Sequence, residues 1–80
     1  MRIQLLLFAS YADAFGTSEL EMSVPEGASV SDVIARLGAL AKGKALPPRP
    51  LVAINQSYAA DSDVIHAGDE VALIPPVAGG

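Results

Sequence analysis

The chain has no cysteine among its 80 residues, so it forms no disulfide, builds no thiolate metal site and offers no thiol nucleophile. Basic side chains are also few. Five Lys and Arg stand against nine Asp and Glu, a net charge of −4, which is the wrong sign for gripping phosphate backbones or anionic lipid. Neither nucleic acid nor a membrane is an expected partner. No apolar run approaches the roughly 18 residues that span a bilayer. The nearest candidate, Leu5 to Ala9 after Arg2 and Gln4, is too short for a signal-peptide core, so it reads as a buried strand and a cytoplasmic location is expected. Histidine occurs once, and no metal-ligand spacing exists.

What is present describes a folded domain. Hydrophobic residues make up 51% and charged ones 18%, with 7 Gly and 6 Pro, a balance that supports one core and leaves no room for a second domain. Ile3, Leu5 and Leu7 alternate with Gln4, Leu6 and Phe8, so a first strand is apolar on both faces, as a central strand would be. A polar connection from Ser10 to Ser18 leads to Glu19-Leu20-Glu21-Met22-Ser23-Val24, whose strict alternation predicts an antiparallel partner. Pro25-Glu26-Gly27 ends it. Ser29 and Asp32 form a capping box with the shorter acid, and Val30, Val33, Ile34, Leu37, Leu40 and Ala41 make one helical stripe. That helix is expected to end around Lys42-Gly43-Lys44, and Pro47-Pro48-Arg49-Pro50 forces an extended loop. Leu51 to Ile54 reads as a short strand, Asn55-Gln56 as a turn, Ser57 to Ala59 as a short return and Asp61 to Ile65 as a turn or single helical turn. Ala67-Gly68-Asp69 turns into a last strand, Glu70 to Ile74, which Pro75-Pro76 stops because neither proline donates an N–H.

This order is α+β. Two antiparallel strands, a crossover helix and strands returning to one sheet match the ubiquitin-like β-grasp, one of several arrangements the pattern allows. The expected sheet is mixed, with about five strands and one main helix. Residues 1–74 form the domain, and residues 75–80, Pro75-Pro76-Val77-Ala78-Gly79-Gly80, an extended C-terminal tail. At ~3.1 Å per residue those six reach on the order of 19 Å beyond the sheet. The tip suits entry into another protein's active site, since glycine has no Cβ to obstruct a narrow channel.

Asp69-Glu70-Val71, Ile74-Pro75-Pro76-Val77 and Gly79-Gly80 resemble the small subunit of molybdopterin synthase, a sulfur carrier of molybdenum cofactor synthesis. The likeness extends to Leu7-Phe8-Ala9, Pro25-x-Gly27, Asn55-Gln56 and Ala67-Gly68-Asp69. It implies the β-grasp fold and a chain that is no enzyme alone but the sulfur-donor subunit of a transferase complex. By the resemblance, the Gly80 carboxylate is adenylated with ATP by a ubiquitin-activating-like adenylyltransferase and converted to a thiocarboxylate. No cofactor is bound. Gly79 gives the tail access to the large subunit, where sulfur passes to a cyclic pyranopterin monophosphate. The same resemblance implies a heterotetramer of two small and two large subunits, contacted through Phe8, Tyr58 and Ile74. Ala78 departs from the Ser or Thr frequent in that family, and the Gly43 to Pro50 loop matches no fixed pattern.

The outer sheet face agrees with a partner. If Leu5, Leu7, Val71 and Leu73 face the helix, then Leu6, Phe8, Ala72 and Ile74 face away and leave an apolar patch beside the tail. Asp61, Asp63, Asp69 and Glu70 suggest electrostatic docking near that tail, and Arg36, Lys42, Lys44 and Arg49 a basic counterpart elsewhere. A hydrolase triad from Ser62, Asp63, His66 and Asp69 lacks a strained nucleophile turn and an oxyanion donor pair. Adjacent strand residues Asp69 and Glu70 would point to opposite faces, which spoils a shared proton. Three alternatives remain: a carrier for another pathway such as thiamine thiazole synthesis, a ubiquitin-like modifier joining Gly80 to target lysines, and a plain interaction module.

Overall fold

A computed structural model describes residues 1–41 and 50–75. The elements are β1 (Arg2–Leu7), α1 (Ser10–Phe15), β2 (Glu19–Ser23), α2 (Val30–Ala41), β3 (Leu51–Ile54), β4 (Ser57–Tyr58) and β5 (Glu70–Ile74). They build one mixed sheet in the order β2-β1-β5-β3-β4. β1 and β5 run parallel at its centre, while β2, β3 and β4 join antiparallel. This is the β-grasp arrangement.

The inner face holds the core. Ile3, Leu5 and Leu7 of β1 and Val71 and Leu73 of β5 are buried in one cluster with Val30, Val33 and Leu37 of α2. Each such aliphatic side chain taken from water contributes about 1.5–3 kcal/mol, so the shared face of strand and helix is what holds the two layers together. α2 begins as its sequence indicates: the Ser29 N–H donates to Asp32 Oδ2 at 2.9 Å, and the Asp32 N–H donates to Ser29 Oγ at 3.4 Å. The turn before it closes when the Ala28 N–H reaches the Pro25 carbonyl at 3.2 Å. Gly27 sits there at φ 83°, the position of a type II turn where a Cβ is strained. Of the stripe, Ile34 is half-buried and Leu40 lies exposed, because the helix turns its edge away from the sheet.

Two stretches differ from expectation. The connection from Ser10 to Ser18 contains α1, which buries Tyr11 to 1% exposure. Six residues are too few for a helical period to emerge from the sequence, and α1 is held by tertiary contact rather than by propensity. The segment after β4 turns at Asp61-Ser62 and then runs alongside the start of α2, with Val64 bridging Ser29. Asp61 and Asp63 present their backbone carbonyls to the N–H groups of Ser31 and Val30, both at 3.0 Å, satisfying donors that a helix start leaves unpaired. Ile65 is pulled into the core as a result. The expected helix end at residues 42–44 and the proline-rich loop lie outside the described residues, apart from Pro50.

Candidate partner-docking site

Strand register builds the outer face. Leu6 pairs with Ala72, Ala72 with Ala53 and Ala53 with Tyr58, so these four form one row across β1, β5, β3 and β4. Adjacent strands are ~4.8 Å apart, which makes the row about 14 Å wide. Its two middle members are alanines, so the centre is low and the flanks are tall. The outcome is an open depression of about 370 Å³ lined by Leu6, Phe8, Tyr58, Ala72 and Ile74, with Ala53, Gln56 and Glu70 completing it. Phe8 is 47% exposed and Tyr58 77%, which leaves large aromatic area facing water.

Phe8, Tyr58 and Ile74, from three strands or strand ends, thus meet in one groove. The Phe8 N–H donates to the Leu73 carbonyl at 3.2 Å, anchoring the end of β1 beside the end of β5. Leu5, Leu7, Val71 and Leu73 are buried on the other side, as the alternation predicts. β5 reaches its last residue, Ile74, at the rim of the groove, and Pro75 follows outside the strand. Pro76, Val77, Ala78, Gly79 and Gly80 lie outside the described residues. The register that places Ala53 and Ala72 side by side as the groove floor was not readable from the sequence, because strand order and pairing are not local properties.

The acidic residues require a correction. Asp61 and Asp63 belong to the segment that meets the N-terminus of α2, and Asp63 Oδ2 accepts the Ala60 N–H at 2.8 Å. Asp69 is tied down by its neighbours: Oδ2 accepts the His66 N–H at 2.8 Å and Oδ1 the Asn55 amide at 3.0 Å. Those two hydrogen bonds, in that order, hold its carboxyl below the usual carboxylate range. Glu70 begins β5 with Asp69 just before it, whereas the strand ends at Ile74, about 13 Å away at ~3.3 Å per residue. The four acids therefore do not gather into one patch at the end of β5. Asp69 and Glu70 border a second, polar depression of about 580 Å³ with Arg2, Gln4, Glu19 and Glu21, and of the four acids Glu70 also lines the apolar groove. Of the basic set, Arg36 is on α2 and exposed, and Lys42, Lys44 and Arg49 lie outside the described residues.

The solitary His66 is an exposed turn residue. Its Nδ1 is 3.8 Å from Asp69 Oδ2, but that carboxylate oxygen is already committed to the backbone. Among the described residues no group of three or more His, Asp or Glu is arranged to hold a metal ion, and no helix is long and apolar enough to cross a membrane.

The ThiS family model matches residues 5–80. The chain belongs to the ThiS family. Within that family setting, it is 34% identical over 83 residues to the molybdopterin synthase sulfur carrier subunit of Chlamydomonas reinhardtii, covering all of both chains. Among solved structures, SAMP1 of Haloferax volcanii, a small archaeal modifier protein, matches with a TM-score of 0.80 at 29% identity over the whole of both chains. A chain from the complex of subunits 1 and 2 of the molybdopterin-converting factor from Helicobacter pylori shares the fold, with a TM-score of 0.66 at 18% identity over 100% of both chains. The ThiS family membership and the β-grasp fold make this chain similar to small sulfur-carrier subunits.

Proposed function

We propose that the chain is the sulfur-carrying small subunit of a molybdopterin synthase, docking on the large subunit through the groove of Phe8, Tyr58 and Ile74 and delivering sulfur from Gly80. The observation that carries this reading is the end of β5 at the groove rim: a partner seated in the groove sits beside the point where the tail departs. Pro75 and Pro76 have no N–H with which to continue the ladder, and Gly79-Gly80 would offer only backbone to the partner's pocket.

The chemistry proceeds in three steps. A Gly80 carboxylate oxygen attacks the α-phosphorus of ATP on a ubiquitin-activating-like adenylyltransferase and releases pyrophosphate. A sulfur nucleophile then attacks the acyl carbon and AMP leaves, giving the thiocarboxylate. In the large subunit, the thiocarboxylate sulfur forms a C–S bond at an electrophilic carbon of the cyclic pyranopterin monophosphate as the C–O bond at that carbon breaks and its oxygen leaves, and water then cleaves the acyl–sulfur bond to restore the carboxylate. A carrier that stores sulfur on its backbone terminus has no need of cysteine, consistent with a chain that has none.

Intact mass after co-expression with the activating enzyme and a sulfur source tests the reading. Exchange of one oxygen for sulfur adds about 16 Da, the same as methionine oxidation, so the change must map to the C-terminal peptide and not to Met1 or Met22. Deletion of Gly80 should abolish sulfur transfer and leave the melting temperature unchanged; retained transfer counts against the proposal. The likeness to SAMP1 favours one second reading, a protein modifier joined through Gly80 to lysines. It predicts thiol-stable adducts with other proteins in place of the thiocarboxylate.

A further inference from the structure

Two consecutive residues of the β3–β4 turn lie in the left-handed region, Asn55 at φ 50° and Gln56 at φ 70°. This is a type I′ turn, whose second position is filled best by glycine because a Cβ crowds the backbone there. Asn55 recovers the cost locally. Its side-chain amide donates to Asp69 Oδ1, and its Oδ1 accepts the Glu70 N–H, both at 3.0 Å. Gln56 has no such return: it is exposed, and its amide makes no hydrogen bond to another described residue. Yet its side chain lines the same groove as Phe8, Tyr58 and Ile74. A strained backbone position occupied by a residue that gains no hydrogen bond from the described residues points to a gain outside them.

From this juxtaposition we infer that Gln56 is a partner-contacting residue, whose amide pairs with a peptide group of the large subunit at the rim of the apolar groove. The inference rests on the docking proposed above. A peptide group brought against this apolar surface loses its water and must be paired there. The glutamine amide sets donors and an acceptor side by side in one plane, the pattern that matches a peptide N–H and C=O. Glu70, the charged member of the lining, can only accept when ionised. Gln56 therefore fixes the register of the partner segment, while Phe8 and Ile74 supply apolar contact.

The test uses Gln56→Gly and Gln56→Ala in the full chain, each titrated calorimetrically against the large subunit and melted alone. Gln56→Gly should raise the melting temperature by a few degrees, because it relieves the turn, whereas Gln56→Ala should leave it nearly unchanged. Both should weaken binding by about three- to tenfold, the equivalent of one lost hydrogen bond. A variant that folds better and binds worse cannot owe its lower affinity to damaged structure. Wild-type affinity in both variants overturns the inference. So does a loss confined to the glycine variant, which would assign the effect to turn flexibility. Failure of the wild-type chain to bind overturns the docking reading itself, and the role of Gln56 with it.

Discussion

Asn55 and Asp69, fourteen residues apart, are joined by a 3.0 Å hydrogen bond from the Asn55 Nδ2 amide to Asp69 Oδ1. The Asn55 N–H also donates to the Glu70 carbonyl at 2.8 Å. One side chain and one backbone group thereby fasten the β3–β4 turn to the start of β5, and with it the Tyr58 wall of the groove.

That fastening has a pH dependence. The His66 N–H and then the Asn55 amide hold the Asp69 carboxyl below its ordinary value, so the folded state keeps it ionised more readily than the unfolded state does. Its stabilising contribution is complete above the unfolded pKa of about 4 and disappears as pH falls through the lower folded value. Urea melts of Asp69→Ala across this acid range should show a shallower loss of stability than the native chain. Identical slopes would remove Asp69 as a contributor to acid unfolding.

Ala9 stores backbone strain at the end of β1. It sits at φ 49°, ψ −121° between Phe8, whose carbonyl accepts the Tyr11 N–H at 3.1 Å, and the start of α1. This is the first central position of a type II′ turn, which favours glycine. Ala9→Gly should therefore stabilise the fold by about 1 kcal/mol, the relief of strain exceeding the added freedom of the unfolded chain. The midpoint of chemical denaturation reads this directly, and a lower midpoint counts against it.

Tyr11 links α1 to the core. Truncation to Ala should cost about 3–5 kcal/mol, the range for a buried aromatic, and calorimetric melting checks it. Burial raises its phenol pKa. The unfolded chain therefore loses this proton first, and stability should fall as pH rises beyond about 10. Tyr11→Phe should flatten that alkaline loss.

Phe8 separates docking from folding. About half of it faces water, so Phe8→Ala should change the stability of the free chain by about 0.5 kcal/mol or less. Burial of the exposed half in the complex contributes about 0.7–1.5 kcal/mol, so the change should weaken association with the large subunit about three- to tenfold. Leu7→Ala is the contrasting variant: Leu7 is buried in the core, and its truncation should cost the fold about 2–5 kcal/mol. Titration and thermal melts of both variants read the two effects apart. If Phe8→Ala unfolds the chain while Leu7→Ala does not, the strand faces are assigned the wrong way round.

Much of the fold was readable in residues that act locally. Alternation in residues 3–8 and 19–24, the Ser29–Asp32 capping pair and the Asn55-Gln56 turn each depend on neighbours a few positions away. Those signals were enough for two faces of β1, the start of α2 and an α+β order of elements of which the β-grasp is one arrangement. The six-residue α1 was not legible, since a helix that short takes its stability from where Tyr11 is buried. Ile65 was missed for the same reason: it enters the core because its segment runs beside the start of α2.

The sequence by itself determined the strands, helix α2 and the apolar outer side of β1 and β5. Tertiary structure alone decided what that outer side became. The parallel pairing of β1 with β5, and the antiparallel pairing of β5 with β3 beyond it, put two alanines between Leu6 and Tyr58 and so made a groove of a merely apolar face. It also kept the acids from gathering at the end of β5. The physical reason is that side-chain facing follows from a period of two residues, which is local, whereas register and strand order depend on pairings between segments tens of residues apart.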